Sequence, residues 1–215
     1  MSHSTFKMPA EGKLSSWKKQ HNEIHKITPD PSRPEIFCIV RHPRLLDISS
    51  SAELGGTDEQ KQGEILLRDC WLDGDQRILT DSELIRSASI KMASIFRVHS
   101  VNVEFLPVTD EILKSIPSDK LERVKADREV RRVTVIVPVD GKDVKKACWL
   151  AKPSLEDVEK ASTASDPISM GTIYLQECWL SGCKDLKEGD DEIRFAAYLG
   201  AINIFRRYTA EVEKL

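Results

Sequence analysis

The residues that could carry chemistry are few and scattered. All five histidines, His3, His21, His25, His42 and His99, fall in the first half of the chain. His21 and His25 stand four apart, a spacing that on a helix turns two imidazoles toward one metal ion. No acidic third ligand is placed beside them by sequence, so a solvated face is the preferred reading. Cys38 and His42 are also four apart, but on an expected strand, where that spacing separates them, and a structural zinc needs four convergent ligands. Asp73, Asp75, Asp81 and Glu83 surround a glycine, yet their order departs from a calcium-binding EF-hand loop, and helix-capping or loop roles are expected. Cys183 follows Cys178 without the Cys-x-x-Cys spacing of a redox pair and reads as a loop thiol. The chain has no nucleophile elbow, P-loop or dinucleotide-binding glycine pattern. A metal- or thiol-dependent enzyme using His21, His25 or Cys183 is therefore the weakest reading. No catalytic, cofactor or metal residue is assigned, and the chain is expected not to be an enzyme.

The elements that position these residues are organised by a repeat. Ile65-Leu66-Leu67-Arg68-Asp69-Cys70-Trp71-Leu72-Asp73-Gly74 returns as Ile173-Tyr174-Leu175-Gln176-Glu177-Cys178-Trp179-Leu180-Ser181-Gly182, and Cys178 lies 108 residues after Cys70. Upstream, Phe37-Cys38-Ile39-Val40-Arg41-His42-Pro43 parallels Ala147-Cys148-Trp149-Leu150-Ala151-Lys152-Pro153. Downstream, Glu83-Leu84-Ile85-Arg86 parallels Glu192-Ile193-Arg194-Phe195, Ile95-Phe96-Arg97 parallels Ile204-Phe205-Arg206, and Val103-Glu104-Phe105-Leu106 parallels Val212-Glu213-Lys214-Leu215. Two copies of one module are expected to fill most of the 215 residues. The boundaries follow: a flexible N-terminal tail over 1–12, a first module over 13–106, a connector over 107–125 and a second module over 126–215.

Within each module the pattern predicts a β-hairpin followed by about three helices, an α+β fold class. Val133 to Val137 and Ala147 to Leu150 flank Asp140-Gly141, a strong hairpin signal. In the first copy three prolines, Pro29, Pro31 and Pro34, lengthen the loop before Ile36-Phe37-Cys38-Ile39-Val40. Pro43 and Pro153 end the strands and open the next helix in its first turn. A central helix then runs through Cys70 and Trp71, or Cys178 and Trp179, and stops at Gly74 or Gly182 as a left-handed cap. Thr80-Asp81-Ser82-Glu83 opens the last helix with a capping box. A short helix anchored by Trp17 precedes the first hairpin, and the connector should be partly helical. Gly200 and its alanine neighbours would let a second helix approach the last one closely.

Composition bounds the rest. Apolar residues at 40% with 31% charged describe a globular chain, and no run approaches the ~18 apolar residues of a membrane span. Residues 1–13 lack the apolar core of a secretory signal, so a cytoplasmic location is expected. Four of the five cysteines form equivalent pairs, Cys38 with Cys148 and Cys70 with Cys178, and read as buried packing thiols in a reducing compartment. A net charge of −3 gives no global pull toward nucleic acid or anionic lipid. The basic run Arg123, Lys125, Arg128, Arg131, Arg132 is interleaved with acids rather than aromatics and reads as a solvated connector, with docking of an acidic partner second.

The hairpin ends at Cys38 to Pro43 and Cys148 to Pro153, the stretch Glu64 to Asp75 and the sequence Asp81-Ser82-Glu83-Leu84 together resemble small single-module proteins encoded in tailed phages and prophages of Bacteroidetes-type bacteria. Those are similar to products of tail gene clusters, tail assembly chaperones among them; this chain differs in fusing two modules and in its longer first loop. The resemblance implies a non-enzymatic protein of the bacterial host cytoplasm that holds an apolar, helical, tape measure-like tail protein. Its partners would be phage tail or other virion proteins, with a homo-oligomer as a further option and neither nucleic acid nor membrane expected. Trp71, Leu72, Trp179, Leu180, Phe96 and Phe205 are the expected docking residues, although closure of each module's core is the commoner use of such tryptophans. The rival reading is a connector or adaptor retained in the virion.

Overall fold

The computed structural model describes residues 6–125, 127 and 129–205. Arg128, Arg206 and the 212–215 end of the repeat match lie outside the described residues. The fold is α+β, with two antiparallel sheets of three and four strands. The chain divides into two compact units, Met1–Arg97 and Val98–Leu215. No described helix is long and apolar enough to cross a membrane.

In the first unit α1 (Glu11–His21) leads into β1 (Ile24–Ile27), and the loop through the three prolines returns as β2 (Cys38–Arg41). That loop is held locally. The Asp30 carboxylate accepts from the Ser32 hydroxyl and N–H and from Arg33 Nε, and these bonds hold its pKa down at about 2. The Ser87 hydroxyl donates to the Pro29 carbonyl. Helices α2 (Leu45–Gly55) and α3 (Glu59–Asp69) follow, then β3 (Trp71–Gly74), α4 (Arg77–Thr80) and α5 (Ser82–Ala93). The strands run in the order β1-β2-β3, and α3 and α5 close a core of Cys38, Val40, Leu66, Leu67, Cys70, Ile78, Leu84 and Met92.

The second unit begins with β4 (Ser100–Pro107). After it come α6 (Asp110–Ser115), a 3-10 turn over Ser118–Lys120 and α7 (Leu121–Lys125). Then follow β5 (Glu129–Val139), β6 (Lys142–Leu150), α8 (Leu155–Ser162), α9 (Pro167–Glu177), β7 (Trp179–Gly182), α10 (Asp185–Glu188) and α11 (Asp191–Ile202). The strand order is β4-β5-β6-β7. The β5–β6 turn has φ of 49° at Asp140 and 74° at Gly141, the left-handed pair that a two-residue type I′ hairpin needs. Ile116 and Val124 of the connector pack on Val130, Ala151 and Leu180, while Val133, Val135, Cys148 and Leu150 are buried on the alternate side of the ladder. Gly200 is what lets α11 settle on the sheet, since a Cβ there would lie 2.5 Å from Val133 Cγ1. The close approach of a second helix to α11 is also present, at Gly171 of α9, where a Cβ would strike the Tyr198 carbonyl oxygen.

Several expectations are corrected. The central helices end at Asp69 and Glu177, with Cys70 and Cys178 as C-caps, and Trp71 and Trp179 open strands. The physical reason is pairing. β3 supplies β2 with its second neighbour, Cys38 opposite Gly74 and Val40 opposite Trp71, and β7 does the same for β6, Cys148 opposite Gly182 and Leu150 opposite Trp179. A four-residue apolar stretch carries too few positions for period 2 to be told from period 3.6. The hairpin is thus followed by two helices, a third strand and two more helices. Residues 98–106, expected in the first module, lie in the second unit, where all of β4 pairs with β5. The alternation of Val101, Val103 and Phe105 was the available strand signal. In the expected tail, Phe6 makes an edge-on ring contact with Phe37 at 5.1 Å, and α1 already starts at Glu11. Helix α1 buries no residue, so Trp17 is half-buried under the Lys13 ammonium rather than an anchor. Helices α2 and α8 begin two residues after Pro43 and Pro153.

Candidate functional site

The expected docking residues divide by accessibility. Phe96 and Leu180 are buried, at 6% and 1% exposure, and offer a partner no surface unless the fold opens. Trp71, Leu72 and Trp179 are half-buried, and Phe205 is exposed beside Tyr174, its ring centroid 5.1 Å away. Trp71, Leu72 and Trp179 sit on β3 and β7, which are edge strands of their sheets. The Trp179 indole carries the Lys187 ammonium 5.0 Å from its centre, and its carbonyl accepts from Lys120 Nζ at 2.7 Å. Leu46 and Leu54, two turns apart on α2, are 70% and 62% exposed, and Leu155 at the start of α8 is 75% exposed.

Beside the residue that precedes each tryptophan lies a largely buried polar cluster that sequence reasoning missed. In the first unit Arg41 NH1 and NH2 donate to the two Asp47 carboxylate oxygens at 2.5 and 2.9 Å, and NH2 also reaches the Asp69 carbonyl at 3.0 Å. The Arg44 N–H donates to Asp47 at 2.7 Å, and the Cys70 sulfur lies 4.0 Å from the same carboxylate. In the second unit Asp157, Glu177 and Cys178 take the places of Asp47, Asp69 and Cys70, but the guanidinium comes from α7. Arg123 donates to Asp157 and, at 2.5 Å, to the Glu177 carbonyl. Burial raises both aspartates, yet the hydrogen bonds and guanidinium charge outweigh it and hold each below the usual carboxylate range. Each cluster ties the start of one helix to the end of the next, just where the chain turns into the tryptophan strand.

Cys38, Cys70, Cys148 and Cys178 are buried, and desolvation pushes each thiol up to about 12. Thiols of that kind are packing groups, since the thiolate is the reactive form. A thiol reagent applied to the native protein is expected to modify Cys183, which is half-buried, and to reach the other four only in denaturant. Stoichiometric labelling counted by intact mass decides this, and rapid native labelling of a second cysteine contradicts it.

The acids around Gly74 are engaged as loop and cap groups. Asp73 pairs with Lys13 at 2.6 Å, Asp75 accepts Arg77 Nε and NH2 at 2.9 and 2.6 Å, and Asp81 caps α5. The basic run is likewise engaged: Arg123 as above, Lys125 with Glu122, Arg132 with Glu104, and Arg131 buried in β5 with Nε on the Ile204 carbonyl. On the β4–β6 face Asn102, Glu104, Arg132, Thr134, Lys145 and Ala147 line a shallow basin of about 390 Å3, whose central charges, Glu104 and Arg132, neutralise each other.

His21 does not join His25. His25 instead meets His42 and Glu23, because β1 and β2 pair Ile24 with Arg41 and the His42 N–H donates to the Glu23 carbonyl, which sets Glu23 opposite His42. His25 Nε2 lies 3.2 Å from His42 Nδ1, and Glu23 oxygens lie 3.5 Å from the former and 3.8 Å from the latter. Burial lowers the His25 pKa, with Glu23 opposing and His42 adding to the effect. Three residues in or next to two paired strands, on either side of the proline loop, leave no linear spacing to find.

No family model, curated protein or solved structure matches the chain.

Proposed function

We propose that the chain is a non-enzymatic binding protein made of two copies of one module, strand–strand–helix–helix–strand–helix–helix, and that it acts in phage tail assembly as a cytoplasmic chaperone of a helical, tape measure-like tail protein. The observation that supports duplication is the ladder. Cys38 faces Gly74 as Cys148 faces Gly182, with a register shift one residue further along in each. The Arg41 N–H donates to the Cys70 carbonyl as the Ala151 N–H donates to the Cys178 carbonyl. Each copy also carries its own aspartate–arginine clamp at the same place.

The binding role is favoured by apolar side chains that stay exposed or half-buried in both units. Trp71 and Trp179 are half-buried on edge strands, and Leu46, Leu54, Leu155 and Phe205 are exposed on or beside the helices. A tape measure-like protein presents long apolar helix faces, and such faces dock on apolar surface at i, i+3, i+4 spacing without any catalytic group. The phage setting rests on the sequence resemblance alone.

Capture of a co-expressed tape measure-like protein by the tagged chain tests this reading. Wild type should retain it, and both Phe205→Ser and the Trp71→Ala/Trp179→Ala double variant should release it while keeping their circular dichroism. Because Trp71 also packs on the core of the first unit, Phe205→Ser is the variant that separates docking from folding. No capture by wild type, or undiminished capture by both variants, removes the chaperone reading. Finding the chain in purified mature virions would replace it with the adaptor reading.

A further inference from the structure

We propose that Glu23, His25 and His42 form a divalent transition-metal site of the zinc class on the β1–β2 ladder, with a fourth position open to water. The three side chains share one face of the antiparallel pair: Glu23 and His25 are two residues apart on β1 and its lead-in, and His42 stands opposite Glu23 and diagonal to His25. Cross-strand and diagonal neighbours on one face are within reach of long side chains. All three ligand atoms lie within 4.8 Å of one another.

The separations fit one ion. Zinc binds nitrogen and oxygen at about 2.0–2.2 Å in a tetrahedron, which fixes ligand–ligand edges at about 3.3–3.6 Å. The His25–His42 distance of 3.2 Å and the Glu23–His25 distance of 3.5 Å lie at that edge, and the 3.8 Å to His42 closes with a small rotation of an exposed glutamate. Two neutral imidazoles and one carboxylate carry a single negative charge toward a divalent ion, a donor set suited to the zinc class and unlike the all-oxygen shells of calcium or magnesium. The imidazoles are about a quarter exposed and Glu23 is 65% exposed, so an ion can enter and water can complete the shell.

The second unit supplies the contrast. At the corresponding ladder positions it carries Glu129, Arg131 and Lys152, the glutamate kept and both imidazoles replaced by permanent cations. Arg131 lies 3.8 Å from Glu129 there, a charge pair in the place where the first unit would hold an ion. One metal per chain is therefore expected rather than two.

The test uses untagged, chelator-stripped full-length protein titrated with ZnCl2, with calorimetry and a competing chromophoric chelator as readouts, and with CoCl2 as a spectroscopic probe. Wild type should bind one equivalent of zinc, raise its thermal midpoint on binding, and give the visible bands of nitrogen-ligated tetrahedral cobalt. His25→Ala and His42→Ala should each abolish the saturable equivalent, and Glu23→Gln should weaken it at least about tenfold. Circular dichroism of the apo variants shows whether each is folded, and the cobalt spectrum of Glu23→Gln, whose side chain is exposed, keeps the assignment testable if a histidine variant is not. No stoichiometric binding by wild type, or binding unchanged in the folded variants, overturns the site; in the first case the two imidazoles simply share a hydrogen bond.

Discussion

Replacing Arg41 with methionine is expected to destabilise the first unit by about 3–5 kcal/mol, because it leaves the buried Asp47 carboxylate with only the mostly exposed Arg44 guanidinium, 3.6 Å away, as a cation. Both side chains are about nine-tenths buried, and the guanidinium makes two bonds to Asp47 and one to the Asp69 carbonyl. The double variant Arg41→Met/Asp47→Leu should recover most of the loss, since it is the orphaned charge, more than the missing pair, that is costly. Arg123→Met in the second unit should cost less, about 1–3 kcal/mol, because its side chain is 34% exposed against 10% for Arg41, so water reaches that pair more readily. Urea titrations of the three variants check the order. The pH dependence follows from the same pair. Asp47 is held below its unfolded value of about 3.9, so its contribution is complete above pH ~4 and is lost as the pH falls through the lower folded value. Arg41→Met should therefore flatten the acid limb of the stability curve, and an unchanged acid limb would show that Asp47 titrates normally.

The same clamp marks what can and cannot be read from a sequence. Cys70 and Trp71 recur along the chain as Cys178 and Trp179 at one offset, and Asp157 follows Asp47 at nearly the same one, so that part of the pattern is visible. The arginines do not align: one comes from β2 and the other from α7, and Ala151 stands where Arg41 would be repeated. A function kept in space but moved in sequence leaves no periodic trace. The start of α5 was legible for the opposite reason, since a cap acts within three residues of itself, although Asp81 rather than Thr80 fills that place and accepts from the Glu83 and Leu84 N–H groups. The Asp140-Gly141 turn was legible because left-handed φ at two consecutive positions is a local demand on residue type.

The site residues follow the same rule. Phe96 and Leu180 match their surroundings in the repeat but are buried, and alignment carries no statement about which way a side chain faces. His25 was noticed with the wrong neighbour, because His21 is near in sequence and ends α1, whereas His42 is near only once β1 and β2 pair. Asn22, at φ 60°, makes the break that separates His21 from the strand. Asparagine is enriched among non-glycine residues at positive φ, and this was a local signal for the turn.

Gly182→Ala is expected to destabilise the second unit by about 2–4 kcal/mol, for a reason opposite to the helix cap that its position after an apolar run suggests. Gly182 ends β7 with φ 138°, opposite Cys148, and an added Cβ would stand 2.5 Å from Cys148 Cα and 2.6 Å from the Ala147 carbonyl oxygen. Two terms add. The conformation costs a non-glycine residue about 1–3 kcal/mol, and overpacking against a fixed neighbour costs about as much again unless the strand moves. Gly141→Ala isolates the first term, since Gly141 has φ 74° and no atom within 4 Å of its would-be Cβ, and it should cost about 1 kcal/mol. Gly74→Ala isolates the second, with ordinary φ and a Cβ that would meet Cys38 Cβ at 2.5 Å and Cα at 2.7 Å. Trimming the facing cysteine to glycine should rescue Gly182→Ala only in part, because it removes the Cys148 Cβ at 2.7 Å but leaves the two closer backbone atoms in place. Full rescue by Cys148→Gly, read as the urea midpoint at constant slope, would show that the β6–β7 ladder yields to side-chain volume and that close backbone approach is not what requires glycine after the tryptophan.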